Sequence, residues 1–232
     1  MITSLNNWQA VKAPNQDSLT GRYVVLERLC PSRHAAKLFQ SYEGQDFVWD
    51  YLPYGPFHSA AAYHRWVSDM ADKSDPYFYA IKSAETQDYL GVASYLRIDP
   101  NMGTIEVGHI NFSPLLQKTP AATEAIYLMM KWAFENGYRR FEWKCDSRNI
   151  PSRRAAQRYG LSFEGIFRQA AIVKGRNRDT AWYAAIDAEW PALQEAFDTW
   201  LRPENFGTDG QQKEKLGNLT RLVLVQTDPA LG

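Results

Sequence analysis

Short apolar runs rich in β-branched and aromatic residues alternate along this chain with segments of helical spacing. Arg22–Arg28 alternates closely enough to predict a first strand, and Ser32 can cap a helix that reaches about Tyr42. Ser59 caps a second helix to about Asp72, with Ala62, Trp66 and Met70 on one side. Tyr77–Lys82, Leu90–Ile98 and Thr104–Phe112 follow as strands, and the short turns between them predict an antiparallel meander. Thr119 as cap, Pro120 at the first helical position and Gly137 past the end bound a long helix over Ala121–Asn136. Phe141–Cys145 reads as a strand, and Asn149-Ile-Pro-Ser opens a short helix that Gly160 stops. Ser162–Val173 and Ala181–Ala188 make a last hairpin around Lys174–Asp179, before a helix over Trp190–Leu201. Phe47–Phe57, dense in aromatics and proline, predicts a structured loop and no regular element. After Pro203 the chain is polar as far as Leu219–Val225, which could add an edge strand or stay loose. This order predicts a mixed α/β domain around one sheet.

The 232 residues are 45% hydrophobic and 14% aromatic, ample for a full core. No apolar run is long enough to span a bilayer, and the N-terminal stretch has no signal-like apolar segment, so no membrane association is expected. Cys30 and Cys145 lie far apart with no metal-ligand spacing, which suits a reducing, cytoplasmic compartment and predicts no metal site. The formal net charge of zero argues against a surface built for nucleic acid. The charge is unevenly spread, however. From Arg139 to Arg178 eleven basic residues face three acidic ones. That excess reads either as a solvated basic face with a hairpin tip or as a face that meets a polyanionic ligand.

The stretch from Thr104 to Ala125 carries the first hint of chemistry. A buried strand with Glu106, His109 and Asn111 set into it runs through a Ser-Pro turn into an uncovered helix N-terminus. First-turn N–H groups lack partners there, and the helix dipole favours an anion such as a phosphate.

The element order, over roughly residues 20–190, resembles the GNAT superfamily of acyl-CoA N-acyltransferases. The family's cofactor signature, Gln/Arg-x-x-Gly-x-Gly/Ala, is matched by Gln117-Lys118-Thr119-Pro120-Ala121-Ala122. The following Ala122-Thr-Glu-Ala125 is similar to the RimJ/RimL-type N-acetyltransferase branch, and Asn149-Ile-Pro-Ser152 with Gly160-Leu-Ser-Phe-Glu-Gly165 resembles the family's second block. The resemblance implies a mainly antiparallel central sheet flanked by helices, with acetyl-CoA held where the family's fourth and fifth strands, here Thr104–Phe112 and Phe141–Cys145, splay apart. It divides the chain into an N-terminal arm (1–18), an N-acetyltransferase domain (19–201) and a C-terminal tail (202–232). It also leaves room for a homodimer. The cofactor-binding set it implies is Ile110, Asn111, Phe112, Gln117, Lys118, Thr119, Ala121, Ala122, Thr123, Asn149 and Ser152. Pro120 stands where the signature has its first glycine and removes one N–H donor, for which the Thr119 hydroxyl could substitute. Ala156 stands where many members carry a tyrosine general acid.

The implied reaction is acetyl transfer to a primary amine by direct attack in a ternary complex. An amine attacks a thioester only when neutral, and with a pKa of about 8 to 10 it gains from a base near neutrality. Glu106, on the strand before the signature, is the candidate base, or else a strand-end carboxylate paired with a basic neighbour. By strand alternation His109 points to the opposite face from Glu106. Ser152 is the candidate proton donor to the departing thiolate, or else a first-turn serine that bonds its own backbone. Asn149 reaches the cofactor or forms a local turn. Trp49, Tyr51 and Tyr54 line an acceptor pocket or serve as core aromatics. The acceptor is a protein N-terminus or a small amine. The alternative from another class is a GNAT-like module that binds acyl-CoA without turnover.

Overall fold

A computed structural model describes residues 5–232. Strand β1 (Ser18–Thr20) pairs with β2 (Val24–Arg28), and helices α1 (Pro31–Ser41) and α2 (Ala60–Ala71) follow, joined by a loop that holds one 3-10 turn at Asp46–Trp49. Next come β3 (Tyr77–Ser83), β4 (Tyr89–Asp99), β5 (Thr104–Phe112), α3 (Pro120–Glu135), β6 (Arg140–Asp146) and α4 (Ile150–Arg158). The hairpin β7 (Ser162–Val173) and β8 (Arg176–Ile186), α5 (Trp190–Trp200) and the short α6 (Leu216–Thr220) complete the chain. The eight strands form one sheet in the order β1-β2-β3-β4-β5-β6-β8-β7, and β5–β6 is its parallel pair. The predicted fold class and the meander are as expected.

Two cores lie on opposite faces of the sheet. On one face α3, α4 and α5 cover Ile105, Val107, Phe141 and Trp143. On the other α1 and α2 cover Phe78, Ala80 and Val92 with an aromatic cluster of Tyr42, Trp49, Tyr63 and Trp66. The strands alternate between the two as a sheet buried on both faces must.

Three local expectations change. The arm, described from residue 5, runs into the strand β1 at Ser18, and tyrosine hydroxyls hold it at two points: Tyr77 and Tyr79 donate to the Gln16 carbonyl and Tyr138 to that of Lys12. The last hairpin turns on two residues, Lys174 and Gly175, both at positive φ (48° and 73°), so β8 begins at Arg176 and not at Ala181. Such a two-residue turn matches the twist of the strands it joins. The tail is neither an edge strand nor loose. Leu216 and Thr220 are buried in α6, and Asp228, 2% exposed, meets Arg153 of α4.

That buried pair fixes the tail. Arg153 Nε donates to Asp228 Oδ2 at 2.7 Å, and the Tyr183 hydroxyl donates to the same carboxylate. Burial pushes the Asp228 carboxyl up, but Arg153 and Tyr183 outweigh it and hold it below the usual carboxylate range. Its contribution to stability is therefore present above the unfolded pKa of about 3.9 and lost as pH falls through the lower folded value. Removing one partner of a buried pair costs about 3–5 kcal/mol, because the other charge is left uncompensated. Arg153→Met should lower the unfolding free energy obtained from urea denaturation by that amount, and Arg153→Met with Asp228→Leu should recover much of it. A single variant that melts like the wild type would mean the tail contributes nothing.

Candidate active site

The site is built where β5 and β6 part. Their parallel pairing runs from Thr104↔Arg140 to Val107↔Trp143 and stops there, although both strands continue. On its other side β5 carries a bulge: Ser94 pairs with Gly108 and Val92 with Asn111, so one extra residue lies on β5. His109 takes up the distortion at φ 50°. Beyond Val107 the edge of β5 that faces β6 is left without a strand partner, and a slot opens through the sheet.

The bulge also reverses one prediction. Simple alternation sends His109 to the face opposite Glu106, but the extra residue returns it to the same face. His109 packs on Phe78, with ring centroids 5.2 Å apart, and stacks on Tyr54 at 5.6 Å; its Nδ1 lies 3.1 Å from the Tyr54 hydroxyl. Burial pulls its pKa down to about 4, helped by the charges of Arg97, Lys73 and Arg178. The ring is neutral near pH 7.

Glu106 sits at the fork itself, 3% exposed. Its Oε2 receives Arg97 Nη1 at 2.7 Å and Lys144 Nζ at 2.8 Å. Oε1 has no hydrogen-bond partner among the described residues. Lys144 also reaches Glu142 at 2.7 Å and lies 3.8 Å above the Trp182 ring. Burial raises the Glu106 carboxyl above its ordinary range, and the two cations only partly offset that. Gly108 keeps the approach open, since a Cβ there would stand 3.5 Å from Glu106 Oε1 and 2.8 Å from Leu96 Cδ2. Lys144, Arg97 and Gly108 are functional candidates that sequence reasoning missed. The alternation of Glu142 and Lys144 shows that they share a face, but only the β5–β6 register places Glu106 beside them.

On the other side of the slot lies the N-terminus of α3. The backbone N–H groups of Lys118, Thr119 and Ala121 find no partner among the described residues, as the start of a helix dictates. The Thr119 hydroxyl is committed: it donates to the Leu116 carbonyl at 2.6 Å and accepts from the Ala122 N–H at 3.2 Å. Gln117 Nε2 donates to the Phe112 carbonyl at 2.8 Å and ties the turn to the end of β5. Thr123 is buried, and its hydroxyl accepts from Arg158. Ile110 and Phe112 pack toward the α3 core, while the Asn111 carbonyl accepts from the Tyr42 hydroxyl at 2.9 Å. The Asn111 side-chain amide is buried with both polar atoms unpartnered.

Asn149 Oδ1 caps α4 by accepting from the Ser152 N–H at 3.1 Å. The Ser152 hydroxyl oxygen accepts from Trp143 Nε1 at 3.0 Å, which leaves its own proton free to point elsewhere. Cys145 lies against it, and burial raises that thiol to about 11. Tyr159 is buried between Trp143 and Phe197 in the α5 core. Of the aromatic loop, Trp49 is 3% exposed and packs among Tyr42, Phe57 and Tyr63, whereas Tyr51 is exposed and its hydroxyl lies 3.4 Å from the Arg148 carbonyl. Lys174 at the hairpin turn donates to the Trp49 carbonyl at 2.9 Å. The α1–α2 loop and the β7–β8 hairpin therefore meet above the α1/α2 face of the slot.

The site thus has an uncovered helix N-terminus with unpaired amides on one side of a slot and a carboxylate with one free oxygen on the other. That arrangement fits a phosphorylated, thioester-bearing cofactor such as acetyl-CoA. The family model for the acetyltransferase (GNAT) domain matches residues 24–162. The "Uncharacterized N-acetyltransferase YnaD" of Bacillus subtilis is 34% identical over 89 residues, which are 38% of this chain; the match spans about half (51%) of that relative. A GCN5-related N-acetyltransferase from Brucella melitensis has a crystal structure that superposes with a TM-score of 0.92 at 43% identity, over 94% of this chain and 100% of that one. A probable acetyltransferase of the GNAT family from Chromobacterium violaceum superposes with a TM-score of 0.78 at 42% identity, over 83% of this chain and 97% of that one. With its family model matched over more than half of its length and its strands parted at the slot, the chain belongs to the GNAT acetyltransferase family.

Proposed function

We propose that this protein transfers an acetyl group from acetyl-CoA to a primary amine, by direct attack within a ternary complex. The observation that carries the reading is the slot between β5 and β6, flanked by the free amides of Lys118, Thr119 and Ala121 and by Glu106. Bound acetyl-CoA would supply the acyl group as an activated thioester. Those amides would hold its pyrophosphate, as helix N-termini hold anions. The missing N–H of Pro120 sits at a position where a helix has donors to spare. The free backbone edge of β5 at Ile110–Phe112 would pair with the pantetheine chain, in the manner of an added strand.

The chain must then move two protons. One leaves the attacking amine, and Glu106 Oε1 takes it, directly or through one water. A buried carboxyl with a raised pKa is a better base than an exposed one, and the paired cations limit that rise. The other proton goes to the sulfur that departs as the carbon–nitrogen bond forms and the carbon–sulfur bond breaks. Ser152 donates it, because Trp143 occupies its oxygen and leaves the hydroxyl hydrogen available. Tyr54 and His109 line the amine's approach. The acceptor is a protein N-terminus or a small amine.

Acetyl-CoA at about one hundred times its Kd should raise the melting temperature by roughly 5–10 °C. No shift at saturation would overturn the reading. If binding occurs but no amine in a broad panel releases free thiol, a non-catalytic acyl-CoA module is the better account.

Glu106→Gln should lower kcat/KM about 100- to 10,000-fold near neutral pH with cofactor affinity retained. The deficit should shrink on the alkaline side, where more amine is neutral by itself. A folded variant with wild-type rates from neutral to alkaline pH would remove Glu106 from the mechanism. Lys144→Met tests the same group from the other direction. Lys144 favours the ionised carboxylate, so its loss should raise the Glu106 pKa further and move the acidic limb of the pH–rate profile to higher pH. An unmoved limb would mean that the limb belongs to another group.

A further inference from the structure

Four of the eleven basic residues between Arg139 and Arg178 are held in ion pairs by the fold. Arg140 pairs with Glu142 and Glu164, Lys144 with Glu106 and Glu142, Arg148 with Asp146, and Arg153 with Asp228. Arg178 is different. It is only partly exposed, its Nε is buried without a hydrogen-bond partner among the described residues, and it enters none of these ion pairs. On β8 the side chains of Trp182, Thr180 and Arg178 alternate onto one face, opposite Lys144 and Asp146 of β6 in register. This is the Glu106 face, and Arg178 lies within electrostatic reach of His109 across the mouth of the slot. Trp182 Nε1 on the same face is also buried and unpartnered. Asp146, the carboxylate within electrostatic reach of Arg178, is already forked by Arg148, and a buried donor left without an acceptor is costly, which leaves the Arg178 Nε for a ligand.

We propose that Arg178 binds an anionic group, a carboxylate or phosphate, carried by a small acceptor amine. This rests on the acetyltransferase reading and narrows its substrate class. A guanidinium recognises either group through charge-assisted hydrogen bonds, and the Trp182 N–H supplies a further donor on the same face. Size is limited by the closure above: Lys174 bonded to the Trp49 carbonyl ties the loop to the hairpin, and Tyr51 bonded to the Arg148 carbonyl ties it to the β6–α4 turn, which suits a small molecule better than a polypeptide.

The test compares matched amines: glycine with glycinamide, phosphoethanolamine with ethanolamine, and a neutral tetrapeptide amide. Thiol release is measured for the wild type and for Arg178→Gln, Arg178→Lys and Arg178→Glu, each checked by its melting curve. At least one anionic amine should exceed its neutral partner by about 10- to 100-fold in kcat/KM, mostly through KM. Arg178→Gln should abolish the preference, Arg178→Lys keep part of it and Arg178→Glu reverse it. Binding of the same amines to the CoA-loaded protein, followed by calorimetry, separates the two readings. Arg178-dependent binding of the anionic amine without turnover would retain this inference and overturn the transferase reading. Turnover with no preference between partners, a preference indifferent to Arg178, or the tetrapeptide amide as the best acceptor would overturn the inference and keep the transferase. Neither binding nor turnover would overturn both.

Discussion

The structure depends on two strands that begin as neighbours and cannot remain so. β5 and β6 pair in parallel over four residues, and at Val107 the pairing ends because β5 is bent by its bulge at Gly108–Asn111. A bulge adds one residue to one strand and swings it out of line with its partner. The backbone edge so exposed would be a liability at the rim of a sheet. In the middle of one it becomes a slot with hydrogen-bonding walls. The same bulge places His109 and Glu106 on one face, with Gly108 between them, where a Cβ would press on the end of the Leu96 side chain.

Around the slot the charges are arranged in pairs, and the pairs differ in purpose. Arg153 and Asp228 are buried together and fasten the tail to α4. Glu124 is also buried, and its carboxylate accepts from the backbone N–H groups of Arg22, Tyr23 and Val24, which ties the β1–β2 turn to α3 near its uncovered N-terminus. These contacts hold the scaffold on either side of the fork. Glu106, Lys144 and Glu142 form a row across it, and Arg97 closes one end. The cation between two carboxylates is held over Trp182, where the ring face adds to its attraction.

Most of the element order was legible because the apolar spacing, Thr119-Pro120, Asn149-Ile-Pro and Gly137 mark strand and helix ends by local chemistry. The turn at Lys174-Gly175 was read too long, because Arg176–Thr180 is polar and gives no strand signal of its own; its pairing with β7 decides it. The tail was misread for the same reason. Asp228 looks like a surface residue until Arg153 and Tyr183, 75 and 45 residues away, surround it. In the site the motif positions were visible and their partners were not. The bulge that turns His109 leaves no mark in the sequence, and neither does the register that sets Glu106 beside Lys144. Arg178 was visible only as one basic residue among eleven. What sets it apart is a buried Nε with no partner among the described residues, on the face that carries Glu106.

A carboxylate that holds two cations is usually a structural group, and Glu106 has to be weighed against that. The decisive detail is that both cations share one oxygen. Arg97 and Lys144 converge on Oε2, while Oε1 points past Gly108. A purely structural pair would gain from a fork-to-fork contact in which each oxygen takes a donor, as Arg148 does with Asp146 and Arg153 with Asp228. Glu106 forgoes that gain at the one point where the sheet is open. Its desolvation raises the affinity of the free oxygen for a proton, and the cations on the far oxygen oppose that rise. The two effects oppose each other on one carboxylate, and only Oε2 is occupied, which leaves Oε1 for the proton that the proposed role requires.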